Sequence, residues 1–251
     1  MRQLLTLLSK KSGRDAKGHI SVRHQGGRQK RFLREIDFKR EKKDVWGVIE
    51  SILYDPNRNS KIAMVKYQDG DRRHILAPSG LKEGDKVIAS ESAPLEIGNA
   101  LPLQNLPAGT QIHNIEITPG KGGQIVKSAG GTAQVLGKEE NYVLVRISSG
   151  ETRRFNPRCW ATIGQVGNIE IRTRNLGKAG AKRHMGIRPS VRGIAMHPAA
   201  HPHGGGEGRS GIGMKYPKTP YGKPAVGKTR KHKKYSNKLI VKPRKKGPHV
   251  G

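Results

Sequence analysis

Lys61-Ile62-Ala63-Met64-Val65-Lys66-Tyr67-Gln68-Asp69-Gly70-Asp71-Arg72-Arg73-His74-Ile75-Leu76-Ala77 is the stretch that decides the fold. Two β-rich runs, Lys61 to Tyr67 and Arg72 to Ala77, flank Gln68-Asp69-Gly70-Asp71. An Asp-Gly pair between such runs is a hairpin signal, because glycine takes the positive φ that tight turns need. Working outward, Val45 to Tyr54 reads as a preceding strand closed by Asp55-Pro56-Asn57, and Lys86 to Ser90 as a following one. A second set comes after Pro94 to Pro107: Thr110 to Ile117, Gln124 to Ser128, Ala133 to Leu136, Tyr142 to Ile147, Glu151 to Phe155 and Ala161 to Val166. Val143, Val145 and Ile147 alternate with Leu144 and Arg146, which predicts a strand with its first set inward, and Ser148-Ser149-Gly150 turns it into the next. Short strands, tight turns and little helix give a mainly β fold with two small barrels, over 35–97 and 98–175. Leu176 to Gly186 reads as a short helix that ends before Pro189.

Charge divides the chain in the same places. Forty-nine Lys and Arg against 19 Asp and Glu give a formal net charge of +30. Residues 1–34 contribute +9, residues 35–175 only +3, and residues 176–251 contribute +18, with Glu207 the sole acid of that tail. The middle is therefore a globular body, and the ends are a basic N-terminal arm and an extended basic C-terminal arm. Ordering the C-terminal arm alone would cost on the order of 100 kcal/mol in backbone entropy, with few apolar side chains to bury in return. Its 14 glycines and eight prolines allow close approach and sharp turns while opposing long helices. The expected partner is a polyanion, and folded RNA fits best. A membrane surface would want an amphipathic helix with a bulky apolar face, and a regular duplex groove would reward a recognition helix.

Composition narrows the rest. Aromatic residues at 4% and frequent glycine suit small aliphatic barrels better than a deep-pocketed enzyme. A single cysteine, Cys159, excludes an internal disulfide and a cysteine-based zinc ribbon, and it is expected to be a buried, inert thiol. No run approaches the roughly 20 apolar residues of a membrane span. Leu4, Leu5, Leu7 and Leu8 form a patch too short for a signal peptide, and the basic arm runs directly into the first barrel, against a transit sequence.

Two motifs suggest other chemistry. Gly222-Lys223-Pro224-Ala225-Val226-Gly227-Lys228-Thr229 matches a phosphate loop, but neither flank offers the strand and helix that aim backbone N–H groups at a nucleotide. His197, His201 and His203 have metal-like spacing, yet Pro198 and Pro202 interrupt any helix and no Cys or Asp stands nearby. With Glu207 the only carboxylate of the tail, a conventional catalytic triad is disfavoured. The geometric reading is that Gly204-Gly205-Gly206 lets the backbone pass close to a sugar-phosphate surface while His201, His203 and Arg209 contact phosphates or bases. Ser21-Val22-Arg23-His24-Gln25-Gly26-Gly27-Arg28-Gln29-Lys30-Arg31 repeats that grammar at the other end.

The motifs come in a familiar order. Ile36-Asp37-Phe38-Lys39-Arg40, Tyr54-Asp55-Pro56-Asn57-Arg58, Ile75-Leu76-Ala77-Pro78, His113-Asn114-Ile115-Glu116, Pro119-Gly120-Lys121-Gly122-Gly123-Gln124, Gly177-Lys178-Ala179-Gly180, Val191-Arg192-Gly193 and the His201 to Arg209 run resemble the bacterial-type large-subunit ribosomal protein two family. The resemblance implies an oligonucleotide-binding (OB-like) barrel followed by an SH3-like barrel. It implies a structural constituent of the large ribosomal subunit and primary binder of its RNA, not an enzyme, supporting assembly, subunit association, tRNA binding and the peptidyl-transferase region. The implied partners are large-subunit RNA, small-subunit RNA at an intersubunit bridge and other ribosomal proteins, in a bacterial cytoplasmic ribosome. No membrane, nucleotide, metal or cofactor is expected, with Mg2+ present only as part of bound RNA.

RNA contacts are expected at Arg23, His24, Arg28, Lys30 and Arg31 in the N-terminal arm and at Lys39, Arg40, Arg58 and Lys121 on the barrels. In the C-terminal arm they are expected at Lys178, Lys182, Arg183, Arg188, Arg192, His201, His203, Gly204, Gly205, Gly206, Arg209, Lys228, Arg230, Lys231, Lys233 and Lys234. The alternative makes the chain a direct participant in peptide transfer through His201 or His203. Against it, the family commonly has Asn-Pro-Val-Asp where this chain has His197-Pro198-Ala199-Ala200, which removes a carboxylate that could orient the first ring. The family's longer N-terminal stretch before Ser12 is replaced by residues 1–11, so some peripheral RNA contacts are expected to be absent.

Overall fold

The structure, a computed structural model, describes residues 4–226 and 233–245. These fall into two compact units. One takes in the described chain up to Leu8, then Lys30–Asn175 and Lys238–Arg244; the other takes in Ser9–Gln29 and the described part of Leu176–Asn237.

The first unit is built from antiparallel sheets. Strands β1 (Leu5–Leu8) and β2 (Arg31–Arg34) form a two-stranded ribbon, in which Leu7 faces Phe32 and Leu8 faces Arg31. The leucine patch and the end of the basic arm are thus paired strands, a pairing that the sequence does not signal. Strands β3 (Gly47–Leu53), β4 (Ile62–Tyr67), β5 (Arg72–Leu76) and β6 (Lys86–Val87) make a four-stranded sheet in the order β5-β4-β3-β6. The turn joining β4 to β5 is the Asp-Gly one, with Gly70 at φ +84° and its N–H donating to Tyr67 O at 2.9 Å. Between β3 and β4 the register shifts at Glu50, and such a bulge adds the local bend a small sheet needs to curl. Ile49, Ala63, Val65, Tyr67, Ile75 and Val87 fill the interior of this first barrel.

Strands β7 (Ala100–Pro102), β8 (Gln111–His113), β9 (Ile115–Glu116), β10 (Gly123–Ile125), β11 (Ala133–Glu139), β12 (Tyr142–Arg146), β13 (Thr152–Phe155) and β14 (Trp160–Ile163) build the second barrel. β9 and β10 pair with each other. The other six join one sheet with a further strand, β15 (Ile240–Lys242), in the order β15-β13-β12-β11-β8-β14-β7. β15 comes from the far end of the chain and is set against Thr152 and Arg153 of β13. Val143 and Val145 of β12 are fully buried while Arg146 is exposed, as the alternation predicts. They pack with Ile112, Ile115, Val135, Phe155 and Cys159. Each fully buried aliphatic side chain here contributes about 1.5–3 kcal/mol of transfer free energy. Burial also pushes the Cys159 thiol up to about 12, so it stays protonated and inert at neutral pH.

The second unit contains the helix α1 (Ala179–Met185), which ends at Gly186 in the left-handed region with φ +97°. Otherwise it is turns and short 3-10 segments, and among its described residues no apolar side chain is buried. No helix among the described residues is long and apolar enough to cross a membrane.

Candidate nucleic-acid interface

On the barrel unit, three of the sequence motifs explain one another. The carboxylate of Glu116, 2% exposed, accepts from the N–H groups of Gly120 at 3.2 Å, Gly122 at 2.8 Å and Trp160 at 3.0 Å. That gathers Pro119 to Gly123 into a tight loop and leaves Lys121 exposed at its tip. Gly123 N–H donates to Phe38 O at 2.8 Å, so the loop is sewn to the Ile36 to Arg40 segment. The Phe38 ring carries the Lys127 ammonium 4.2 Å and the Arg58 guanidinium 5.6 Å from its centre. Burial, and then the nearby Arg58, hold the Lys127 ammonium below its ordinary pKa. Arg58 is fixed from behind by Asp55, fully buried, whose carboxylate it reaches at 2.7 Å.

Of the barrel cations expected to meet RNA, Lys121 and Lys39 are exposed, although Lys39 also pairs with Glu41 at 3.3 Å. Arg40 differs. It is 3% exposed, and its guanidinium donates to Gly98 O at 3.1 Å inside the unit, so it serves the fold. Asp37 holds its backbone N–H at 2.7 Å and supports the positive φ of that turn.

The arm unit joins what the sequence keeps apart. His24 O accepts from Arg188 N–H at 3.0 Å, Gly26 N–H donates to Gly186 O at 2.9 Å, and Gln29 N–H donates to His184 O at 3.0 Å. His24 Nδ1 lies 3.1 Å from Pro189 O. The Arg23 to Gln29 segment is therefore clasped to the end of α1, and Arg23, His24, Arg28, Lys182, Arg183 and Arg188 share one neighbourhood. Lys182, Arg183 and His184 occupy the last turn of α1, where the helix dipole favours cations. A Cβ on Gly186 would stand 2.9 Å from Arg28 Cβ, so this glycine makes room for the other arm.

The His201 to Gly206 run folds back on itself. His201 and His203 are 7% and 9% exposed, with ring centres 4.7 Å apart. His203 N–H donates to His201 Nδ1 at 3.1 Å, and Lys218 N–H donates to His203 Nε2 at 2.9 Å. Both rings thus act as acceptors that tie the loop together, where the sequence reading sends them outward to phosphates or bases. The glycines follow suit: a Cβ on Gly204 would meet His197 O at 2.4 Å, and one on Gly206 would meet Ser210 Oγ at 2.0 Å. Close approach is required here by the protein's own chain, by backbone at Gly204 and by the Ser210 side chain at Gly206. Among the described residues no group of three or more His, Cys, Asp or Glu could hold a metal ion.

Lys178, Lys182, Arg188, Arg192, Arg209, Lys233 and Lys234 are exposed; Lys228, Arg230 and Lys231 lie outside the described residues, as does the end of the phosphate-loop match. Its described part, Gly222 to Val226, sits in turns, with Lys223 O accepting from Thr219 N–H at 2.7 Å. Sequence reasoning passed over Lys127, Phe38 and Arg14. The signal for Phe38 was its place as the one aromatic in a basic motif.

Two small barrels with cation-rich, acid-poor arms define a nucleic-acid-binding scaffold. Family models match nearly the whole chain: the ribosomal proteins L2 RNA-binding N-terminal domain over residues 1–89, and the ribosomal proteins L2 C-terminal domain over residues 96–222. The chain belongs to the ribosomal protein L2 family, and with it to the structural, RNA-binding proteins of the large ribosomal subunit.

Proposed function

We propose that this chain is a primary binder of large-subunit ribosomal RNA whose arms gain their final order on that RNA. In this reading it supports assembly of the subunit, its association with the small subunit through an RNA bridge, tRNA binding and the peptidyl-transferase region, in a bacterial cytoplasmic ribosome. The observation that carries the reading is charge segregation: the tail brings nineteen Lys and Arg against one acid, while the barrels are nearly balanced. Catalysis through His201 or His203 forms no part of it, because one nitrogen of each ring is already taken by a backbone N–H. The test is the salt dependence of binding to large-subunit RNA. A dozen phosphate contacts at roughly 0.7–0.9 each give a log–log slope near ten. A slope below about three would remove RNA neutralisation as the purpose of the charge.

A further inference from the structure

We propose that the two arms jointly build one phosphate-binding cleft, in which a single phosphodiester of RNA is held by Arg23 from the N-terminal arm and Arg188 from the C-terminal arm. This rests on the RNA-binding reading and adds to it a particular site with a particular stoichiometry. A cleft in the arm unit is lined by Ser12, Arg14, Arg23, His24, Gly26 and Arg188, with Ile20 and Val22 beside them. The clasp sets its width: Arg188 N–H is bonded to the carbonyl of His24, the residue after Arg23, so the two guanidinium stems leave from adjoining backbone.

The cleft has no internal counter-ion. Asp15 is the one carboxylate of residues 9–29, and its Oδ1 is taken by the N–H groups of Lys17 and His19, both at 2.9 Å. Arg14 is partly satisfied, donating to Gly18 O at 2.7 Å, whereas Arg23 and Arg188 are exposed and form no ion pair among the described residues. Cations held together without an acid repel one another until an anion enters, and guanidinium forks match phosphate oxygens in pairs. Ile20 and Val22, 61% and 50% exposed, add apolar surface at the rim. A bare phosphate has no use for that surface, while a nucleotide has a ribose to lay on it.

The experiment measures affinity for large-subunit RNA across a salt series with the full chain, Arg23→Gln, Arg188→Gln and the double variant, after circular dichroism has shown all four folded. Each single variant is expected to lose about tenfold in affinity, one charge-assisted contact, and to lower the salt slope by roughly 0.7–0.9. The double variant should lower the slope no further, because the phosphate is held only while both guanidinium groups grip it and either single loss already releases it. A double variant whose slope falls by twice that amount would show two separate phosphates and overturn the proposal, as would single variants that leave the slope unchanged. Hydrogen exchange at the Arg188 amide separates the two sources of phosphate: RNA should protect it and inorganic phosphate should not, and protection by inorganic phosphate alone would overturn the assignment to RNA. A wild-type slope near zero would instead sink the RNA-binding reading itself.

Discussion

The barrel unit sets several of its cations against acids and buries an aliphatic core, whereas the arm unit does neither. Arg72 grips Glu50 through two hydrogen bonds of 2.8 and 3.0 Å, Arg73 reaches Asp37, Glu41 and Asp71, and Arg58 reaches Asp55. In the arms, backbone hydrogen bonds and two inward imidazoles take the place of a core. The difference separates two ways of reaching order. One unit is stabilised by burial within its own chain; the other is shaped locally, and its charge is left for a partner to neutralise.

The contrast is sharpest in the response to losing an aliphatic side chain. Ile112→Ala, inside the second barrel and fully buried, should destabilise the barrel unit by about 2–5 kcal/mol, while Ile187→Ala in the arm unit, 47% exposed, should change stability by no more than about 0.5 kcal/mol. Urea denaturation of both variants checks this, and equal costs would erase the distinction between the units.

Acid should act on the barrels through His113. Burial holds this imidazole down at about 4, against an ordinary value of 6.5, with its Nδ1 bonded to Gly164 O at 2.9 Å. Between those two values the unfolded chain binds the proton and the folded chain does not, so stability is full above pH 6.5 and falls as pH drops toward 4. The loss is on the order of 3 kcal/mol for such a shift. Unfolding midpoints at about pH 7 and about pH 4.5 should show it in the natural chain and lack it in His113→Gln; an identical loss in both would place the acid sensitivity elsewhere.

The smallest effect belongs to the arms. Gly204→Ala drives a methyl into His197 O, and overpacking of that kind costs about 1–3 kcal/mol. Without a core to share it, the cost should stay local. Amide exchange at His203 and Lys218 should speed up while the barrel amides keep their protection, and a global loss of protection would show the two units to be coupled in stability.

The barrels were legible in sequence because their signals are local. The Asp69-Gly70 turn, the alternation from Val143 to Ile147 and the turns bounding each run all act within a few residues. β1 and β2 were not, since their leucines and Phe32 lie in a basic arm and find each other across more than twenty residues of turns. β15 is a three-residue strand in a lysine-rich tail, and only its distant partner β13 makes it one. The site shows the same division. Exposure of the arm cations followed from charge and lack of core, but nothing in the sequence distinguishes Arg40, which turns inward to Gly98 O, from Lys39, which does not. The inward turn of His201 and His203 depends on the N–H groups of His203 and Lys218, and the clasp depends on carbonyls in the opposite arm. Residue type carries none of that geometry.

The strand Ile240–Lys242 has one more consequence, for the way the arm can move. Because it returns the chain to the edge of β13, the stretch between Asn175 and Lys238 is a loop anchored at both ends rather than a tail. Closing a loop of about sixty residues costs on the order of 4 kcal/mol of chain entropy, set once by the fold and not again at each encounter with a partner. A tail can leave a groove by sliding out end first; this loop has no end to withdraw. A strand threaded through such a loop would leave it only by the loop lifting away whole or by β15 first parting from β13.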